Sequence, residues 1–142
     1  MDINAARELT EEIARIAERI ELVRQSAKNL VPWRDGLPKP PNKGSPIEKI
    51  CYRMLALEEM RQEKLKELDA VKVSLIEAIC AVPMKEMERR VLMMRYVDCM
   101  RFRDICFELD KSDARIYQWH RAGIEKFEKL QYHYSSPTVA LQ

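Results

Sequence analysis

This 142-residue chain has few glycines, three in all, and it lacks long apolar runs. So few glycines leave little scope for the tight turns of a many-stranded sheet protein. No stretch approaches the roughly 18 apolar residues that a membrane-spanning helix needs. Residues 1–30 carry charges throughout and lack the apolar segment of a signal peptide. We therefore expect a protein that does not enter the membrane and that is located in the cytoplasm.

Metal ligands and catalytic groups are also sparse. None of the four cysteines belongs to a Cys-x-x-Cys pair, and the chain has two histidines. These spacings do not match a zinc site, so we predict no metal, no other cofactor, and the buried, reduced thiols of a cytosolic protein. The chain has neither a Gly-rich phosphate loop nor a recognisable pair of nucleophile and base. We predict that it is not an enzyme and has no catalytic residues.

What the chain does have is the composition of a folded helical protein. Hydrophobic residues make up 46% and charged residues 34% of the chain, and strong helix formers such as Leu, Met, Ala, Glu, Lys and Arg dominate. The net charge is only +2. Residues 84–130 hold eleven Lys or Arg and nine Asp or Glu, so charge alone is weak support for a nucleic-acid partner.

The first segment, residues 3–30, has the pattern of a long amphipathic helix. Its apolar residues recur at alternating spacings of three and four, which is typical of a coiled-coil seam. They are Ile13, Ile16, Ile20, Val23, Ala27 and Leu30. Charged residues fill the other faces, as expected for a solvated outer surface.

A proline-rich linker, residues 31–46, separates this helix from a second one. Ser45, Pro46 and Glu48 form a capping-box pattern that predicts where the second helix begins. Pro83 predicts where it ends, because proline removes a backbone donor and cannot continue a helix.

Apolar residues form a heptad-like stripe along the second helix from Ile47 to Val82, interrupted by Arg61 and Lys64. Polar interruptions of this kind can fix register or oligomeric state. The two long helices can fold back as an antiparallel hairpin or pair with a second chain, and the sequence leaves both arrangements open. We assign residues 1–82 to this oligomerisation segment and expect a homo-oligomer, with a dimer favoured.

After Pro83 the pattern changes to three shorter helices. They cover residues 84–97, 101–109 and about 112–130. The last two are joined by a short turn, and two short helices so joined, the second of them amphipathic, make a helix-turn-helix. We therefore predict an all-α fold in which a long helical hairpin or coiled coil precedes a helix-turn-helix domain at residues 83–131, with a flexible tail at 132–142.

The last helix has two distinct sides when its residues are placed about 100° apart. The inner side contains Ile116, Trp119, His120, Gly123 and Phe127. The outer side contains Ala114, Gln118, Arg121 and Glu125, with Arg115 and Tyr117 on the flanks. We expect the inner side to form core, with Gly123 allowing a neighbouring backbone to approach closely. The outer side is free to enter a DNA major groove.

We predict that seven residues around the start of this helix contact DNA. They are Ser112, Asp113, Ala114, Arg115, Tyr117, Gln118 and Arg121. Gln118 can hold adenine and Arg121 guanine through paired hydrogen bonds. Ser112 lies at the helix start, where free N–H groups favour a phosphate, and Arg115 and Tyr117 lie on the flanks towards the groove walls. We expect all three to contact phosphates. From periodicity alone, the alternative is a plain helical bundle in which Gln118 and Arg121 are only solvated.

Residues 88–130 resemble region four of bacterial sigma factors, a match over about a third of the chain. The matching positions are Val82-Pro83, Val91-Leu92-Met93-Met94-Arg95-Tyr96, Ile105-Cys106, Leu109, Ser112, Ile116-Tyr117-Gln118 and Gly123-Ile124-Glu125-Lys126-Phe127. The resemblance implies a helix-turn-helix that reads promoter DNA. Asp113 and Ala114 replace residues that are often Arg and Glu in sigma factors, and Tyr117 stands where Arg is common. A standard promoter hexamer is therefore not the expected target.

The whole arrangement is similar to small proteins of phages and prophages from low-GC Gram-positive bacteria, including late-gene regulators of the ArpU and RinA type. This resemblance implies a transcription regulator that binds double-stranded DNA in a bacterial host cell, with RNA polymerase as a further candidate partner. Two alternatives stay open: a DNA-packaging factor such as a small terminase subunit, and a structural or adaptor protein that binds no DNA. Ring assembly would favour packaging, and a dimer would favour the regulator.

Overall fold

The computed structural model describes residues 2–30 and 46–135, and every regular element in that part of the chain is helical. The helices are α1 (Ala5–Leu30), α2 (Pro46–Ala81), α3 (Glu86–Leu92), α4 (Phe102–Leu109) and α5 (Asp113–Ser135). A π-helical segment, Met93–Val97, follows α3 directly. The predicted all-α class is confirmed. No helix within these described residues is both long enough and apolar enough to cross a membrane.

The two ends of α2 lie at or close to prolines, as the backbone properties of that residue predict. The helix begins at Pro46, a residue suited to the first helical position because its missing N–H is not needed there. It ends at Ala81, two residues before Pro83. Ser45, the predicted cap, lies outside the described residues together with the rest of the linker, 31–45.

The helix predicted over residues 84–97 is α3 followed by the π-helical segment, and not one regular helix. The N–H of Asp98 donates to the carbonyl of Met93, five residues earlier, at 3.0 Å. Cys99 then adopts a φ of 57°, in the left-handed region. The chain therefore turns sharply into α4 through a widened helical turn, a feature that apolar periodicity does not predict.

A three-residue connection joins α4 to α5. Asp110 has a φ of 52°, and aspartate is one of the few residue types besides glycine that tolerate this conformation. The N–H groups of Asp110 and Lys111 donate to the carbonyls of Phe107 and Cys106 at 3.3 and 3.2 Å. This Schellman motif satisfies carbonyls that the end of a helix leaves free.

α5 begins directly after Ser112, whose Oγ accepts a hydrogen bond from the N–H of Arg115 at 3.3 Å. This is the N-cap that the sequence predicts. The helix continues to Ser135, five residues past the predicted end at Leu130. Residues 136–142, within the predicted tail, lie outside the described part of the chain.

Contacts along the backbone divide the chain into two compact units. One unit runs from Leu9 to Leu68, and the other combines the beginning of α1, through Glu8, with the chain from Asp69 onward. Both divisions fall inside helices, because α1 and α2 each contribute to both units. The functional boundary expected between residues 82 and 83 stays a prediction.

In the unit Leu9–Leu68, the inner faces of both helices carry the predicted apolar stripes, and Ile20 of α1 and Leu68 of α2 are buried. Lys64 interrupts the stripe of α2, and its Nζ lies 3.1 Å from Oε2 of Glu12 in α1. Hydrogen bonding to Glu12 and the charge of that carboxylate raise the pKa of Lys64. The polar interruption thus pairs the two helices at one position and helps to select their register.

The other unit has its apolar core where α3, α4 and α5 meet. Val91, Ile105 and Ile116, one from each helix, are 0% exposed. Other apolar side chains pack around these three; they are Met94, Met100, Phe102, Cys106, Leu109 and Trp119. This core fixes α5 against α4 and so determines which side of α5 faces solvent.

The cysteines correct one expectation from the sequence. Cys51 and Cys80 are exposed, and Cys99 and Cys106 are partly exposed, so the prediction of buried thiols is wrong. The reason is rotational: Cys51 and Cys80 each follow an isoleucine of the inner stripe of α2. One step along a helix turns a side chain by about 100°, away from the packed face.

Candidate nucleic-acid interface

α5 separates a buried side from an exposed side, as its sequence predicts. Ile116 is 0% and Phe127 2% exposed, and Gly123 is buried between them. The seven residues predicted to contact DNA lie at the helix start and on the other side, and all seven are exposed: Ser112, Asp113, Ala114, Arg115, Tyr117, Gln118 and Arg121. The first three turns of α5 are therefore accessible to a partner.

Close packing against α3 holds α5 beyond these turns. A Cβ at Gly123 would lie 3.1 Å from Cγ and Cδ1 of Leu92 and 3.5 Å from the carbonyl oxygen of Glu88. The close contact at Gly123 is thus with the side chain of Leu92, whereas the neighbouring backbone, predicted to approach closely, lies at an ordinary contact distance. A larger residue would press on the fully buried Leu92. One turn later, Lys126 donates to both carboxylate oxygens of Glu88 at 2.9 and 2.7 Å.

The start of α5 is capped and its first arginine is held on one flank. Besides the bond from its N–H to Ser112, Arg115 places its guanidinium 5.5 Å from the centre of the Trp119 ring. Trp119 itself packs against the core. This cation–π contact is weak at an exposed site, but it orients the charge along the flank of the helix.

Tyr117 occupies the opposite flank and is held there by Phe102 of α4. The two ring centres are 4.7 Å apart, while Tyr117 remains 49% exposed. The guanidinium of Arg95 lies 4.3 Å from the centre of Phe102 and donates to the carbonyl of Met100 at 2.9 Å. Burial lowers the pKa of Arg95, and the charge of Arg7 lowers it further. The ring of Tyr117 therefore has a fixed place although half of the residue faces solvent.

His120 connects α5 to the start of α4 and to the π-helical segment. It contacts Phe102 edge-on, with ring centres 4.9 Å apart, and its Nε2 lies 2.6 Å from the hydroxyl of Tyr96. Burial lowers the pKa of His120, with a smaller contribution from the charge of Arg95. Burial also raises the pKa of Tyr96. A neutral imidazole paired with a protonated phenol anchors α5 against the π-helical segment.

Asp113 places a negative charge at the start of α5. The Cys106 thiol of α4 lies beside it: burial raises the pKa of Cys106, and hydrogen bonding to Asp113 raises it further. A carboxylate in the first turn stabilises a helix through its dipole, but it repels a phosphate. Among the seven predicted contact residues, Asp113 is thus the one whose charge opposes DNA binding.

A shallow hollow of about 340 Å³ runs along the exposed side of α5. Its lining consists of Ala114, Tyr117, Gln118, Arg121, Ala122 and Glu125. Carbon surface from the alanines and the tyrosine ring adjoins the donor groups of Gln118 and Arg121. The edge of a base pair in the major groove presents a matching mixture, hydrogen-bonding groups together with the methyl group of thymine.

Two residues that line or support this site, Ala122 and Phe102, were not among the seven predicted contact residues. Ala122 lies about 80° from Ala114 around the helix axis, so the same angular rule that selected Gln118 would have found it. Phe102 supports Tyr117 through its ring. That contact joins two helices, and no pattern within either helix signals it.

Comparison with protein-family models, characterised proteins and solved structures gave no match for this chain. Within residues 2–30 and 46–135, no group of three or more His, Cys, Asp or Glu side chains is placed to hold a metal ion.

Proposed function

We propose that this chain is a sequence-specific DNA-binding protein that regulates transcription, with α5 as its recognition helix. The observation that carries the proposal is the exposure of Gln118 and Arg121 on the side opposite the buried Ile116 and Phe127. An amide and a guanidinium on a helix anchored by its other side can enter a major groove. There they can form paired hydrogen bonds with adenine and guanine.

In this proposal α4, the three-residue turn and α5 form a helix-turn-helix. The core of Val91, Ile105 and Ile116 keeps α5 rigid as it enters the groove, and α4 crosses the DNA backbone. Ser112 and Arg115 lie at the N-terminal end of α5, where free N–H groups and the helix dipole favour a phosphate.

Charges along α5 slightly favour entry by its N-terminal half. Residues 113–123 carry two arginines and Asp113, whereas the two lysines and two glutamates of residues 124–130 cancel. Lys126 is moreover paired with Glu88 of α3, so the later turns offer phosphates less positive charge. With a net charge of only +2, one copy releases few counterions and gains little affinity from phosphate contacts.

For that reason we propose a homo-oligomer, with a dimer favoured, as the form that binds DNA. Glu12 and Lys64 each lie eighteen positions from the linker end of their helix, which supports an antiparallel hairpin of α1 and α2. Tyr52 and Leu55 on α2 are nevertheless 65% and 60% exposed. They offer apolar surface to a second copy.

The resemblance to sigma region four and to small phage and prophage regulators supports a role in transcription in the cytoplasm of a bacterial host cell. RNA polymerase is the second partner expected for that role. A packaging factor would instead assemble as a ring, and an adaptor would bind no DNA.

Selection of randomised duplexes with the full-length protein tests this function. We expect one short motif to be enriched, present twice when a dimer binds. Footprinting on DNA from the protein's own genome would then locate its natural site. The double variant Gln118→Ala/Arg121→Ala is the control and should enrich no motif. Absence of enrichment by the correctly folded wild type would exclude sequence-specific binding and favour the adaptor.

A further inference from the structure

Beside Gln118, the hollow on α5 presents carbon surface that hydrogen bonding to bases does not use. Ala114 is exposed one turn before Gln118, and Tyr117 is 49% exposed next to it. Around the helix axis, Tyr117 lies about 60° to one side of Ala114 and Gln118 about 40° to the other. All three line the same hollow, so an apolar group placed there would touch the alanine methyl and the tyrosine ring together.

We propose that this surface of Ala114 and Tyr117 receives the C5-methyl group of a thymine in the base pair next to the one that Gln118 contacts. The inference rests on the proposed function, because it specifies what α5 reads. It gives the ring of Tyr117 a base contact in addition to the phosphate contact predicted for this residue. The thymine methyl is the apolar group that a base edge presents in the major groove, and small or aromatic side chains are its usual contacts. Ala114 leaves room for it, since a longer side chain would fill the hollow.

The ring of Tyr117 forms one side of this surface and is held in a fixed position. Discrimination of a single methyl group requires such a rigid contact. Phe102 contacts the tyrosine ring at 4.7 Å between centres, and Phe102 is held in turn by Arg95 and His120. These contacts come from the π-helical segment and from α4 and α5, so the ring does not depend on DNA for its position. Because the ring is already in place, binding avoids most of the entropic cost of ordering this side chain.

Cytosine is a poorer occupant of the same place. It presents an N4 amino donor that needs an acceptor, and neither the methyl group of Ala114 nor the face of Tyr117 is a good one. Asp113 lies beside the thiol of Cys106, and Glu125, the carboxylate that lines the hollow, lies about three turns from Ala114 along α5. The surface therefore favours a step that contains an adenine for Gln118 and an adjacent thymine.

Deoxyuridine provides the test, because it differs from thymidine only by lacking the C5-methyl group. The full-length protein is titrated with the duplex best bound in the selection, with each thymine replaced in turn. We expect one replacement to weaken binding about fourfold, the effect of one buried methyl group, and the others to change it less than about twofold. In Ala114→Gly, the sensitive thymine should lose most of its advantage.

Ala70→Gly is the matched control, since it removes the same methyl group from an exposed helical position of α2, outside the hollow, and should keep the thymine preference. Equal affinity for thymine and deoxyuridine at every position would overturn the inference and leave sequence-specific binding intact. A thymine preference that survives Ala114→Gly would also overturn the inference, because the methyl group would then be contacted elsewhere. If no duplex is bound selectively, the proposed function fails and the inference with it.

Discussion

The hydroxyl of Tyr96 lies 2.6 Å from Nε2 of His120 and links the π-helical segment to the middle of α5, 24 positions later in the chain. Tyr96 is 7% exposed, and the two rings also stack, with centres 5.7 Å apart. Burial, with a smaller effect of the charge on Arg95, lowers the pKa of His120. The fold therefore favours a neutral imidazole, whose Nε2 can accept a hydrogen bond from the tyrosine hydroxyl.

Stability should fall in mild acid because of His120. In the unfolded chain the imidazole titrates near 6.5, and in the folded protein it titrates lower. Between these pKa values the unfolded state binds more protons, so acid favours unfolding, whereas above both values the full stabilisation is present. Denaturant unfolding from roughly pH 8 to roughly pH 5.5 should show a loss of stability in the wild type that is reduced in His120→Gln. Equal pH dependence in both proteins would contradict this prediction.

Gly123→Ala should destabilise the protein by about 1 kcal/mol even though alanine is the better helix former. The new Cβ would lie 3.1 Å from two atoms of Leu92, which is fully buried and cannot withdraw freely. Overpacking costs roughly 1–3 kcal/mol, against a gain in helix propensity of about 1 kcal/mol. Denaturant unfolding measures the difference. In a Leu92→Ala background the same change should be neutral or stabilising, and a stabilising effect in the wild type would mean that α3 and α5 can separate.

Lys126→Ala should cost about 2 kcal/mol of stability. It leaves the carboxylate of Glu88, which is 3% exposed, without its cation. Removing one partner of a buried pair costs roughly 3–5 kcal/mol, and the value is reduced here because Lys126 is 40% exposed. Lys129→Ala, on the solvent side of the same helix, is the matched control, expected within about 0.5 kcal/mol of the wild type. Equal losses in the two variants would mean that the ion pair contributes no more than a surface contact.

Properties of single helices were predictable from the sequence, whereas relations between helices were not. The start of α2 at Pro46 and the two sides of α5 follow from local chemistry and from the 100° step. The ion pair of Glu88 and Lys126 joins positions 38 residues apart, and no periodicity signals it.

The same division applies to the candidate site. Gln118 and Arg121 are exposed as their angular positions predict. The support of Tyr117 by Phe102 depends on how α4 crosses α5, and that crossing depends on the Schellman turn and on the widened helical turn of Met93–Val97. Both turns arise from backbone hydrogen bonding, which a pattern of apolar residues does not encode.

The full-length protein should be a dimer at tens of micromolar, and Leu55→Glu should make it monomeric. Leu55 and Tyr52 are exposed on neighbouring turns of α2, and a carboxylate buried there by a second copy would lack a partner. Light scattering after size-exclusion chromatography measures the mass. Leu22→Glu makes the same change on α1 at a residue that is 56% exposed, and this control should stay dimeric. A monomeric wild type would refute the prediction, and a larger ring would favour the packaging role.

Substitutions on α5 should separate base reading from phosphate binding. Gln118→Ala and Arg121→Ala each remove a paired hydrogen bond to a base, which is worth about 1–3 kcal/mol of discrimination. We expect each to relax the selected motif at one position. Arg115→Ala should instead weaken all sequences about equally and reduce the salt dependence of binding, because its charge faces a phosphate. Selections repeated with each variant, and titrations at several salt concentrations, distinguish the two patterns.

Folding has to be verified separately for these variants, and Trp119→Ala shows why. Trp119 packs against the core of Val91, Ile105 and Ile116, so its removal should abolish binding through loss of structure, with a matching loss of helical circular dichroism. Gln118 and Arg121 are exposed, so their alanine variants should keep the wild-type spectrum and melting temperature. If both fold normally and retain wild-type affinity and specificity, this side of α5 does not read DNA. The exposed amide and guanidinium would then be solvated groups, and the adaptor function would become the better explanation of the fold.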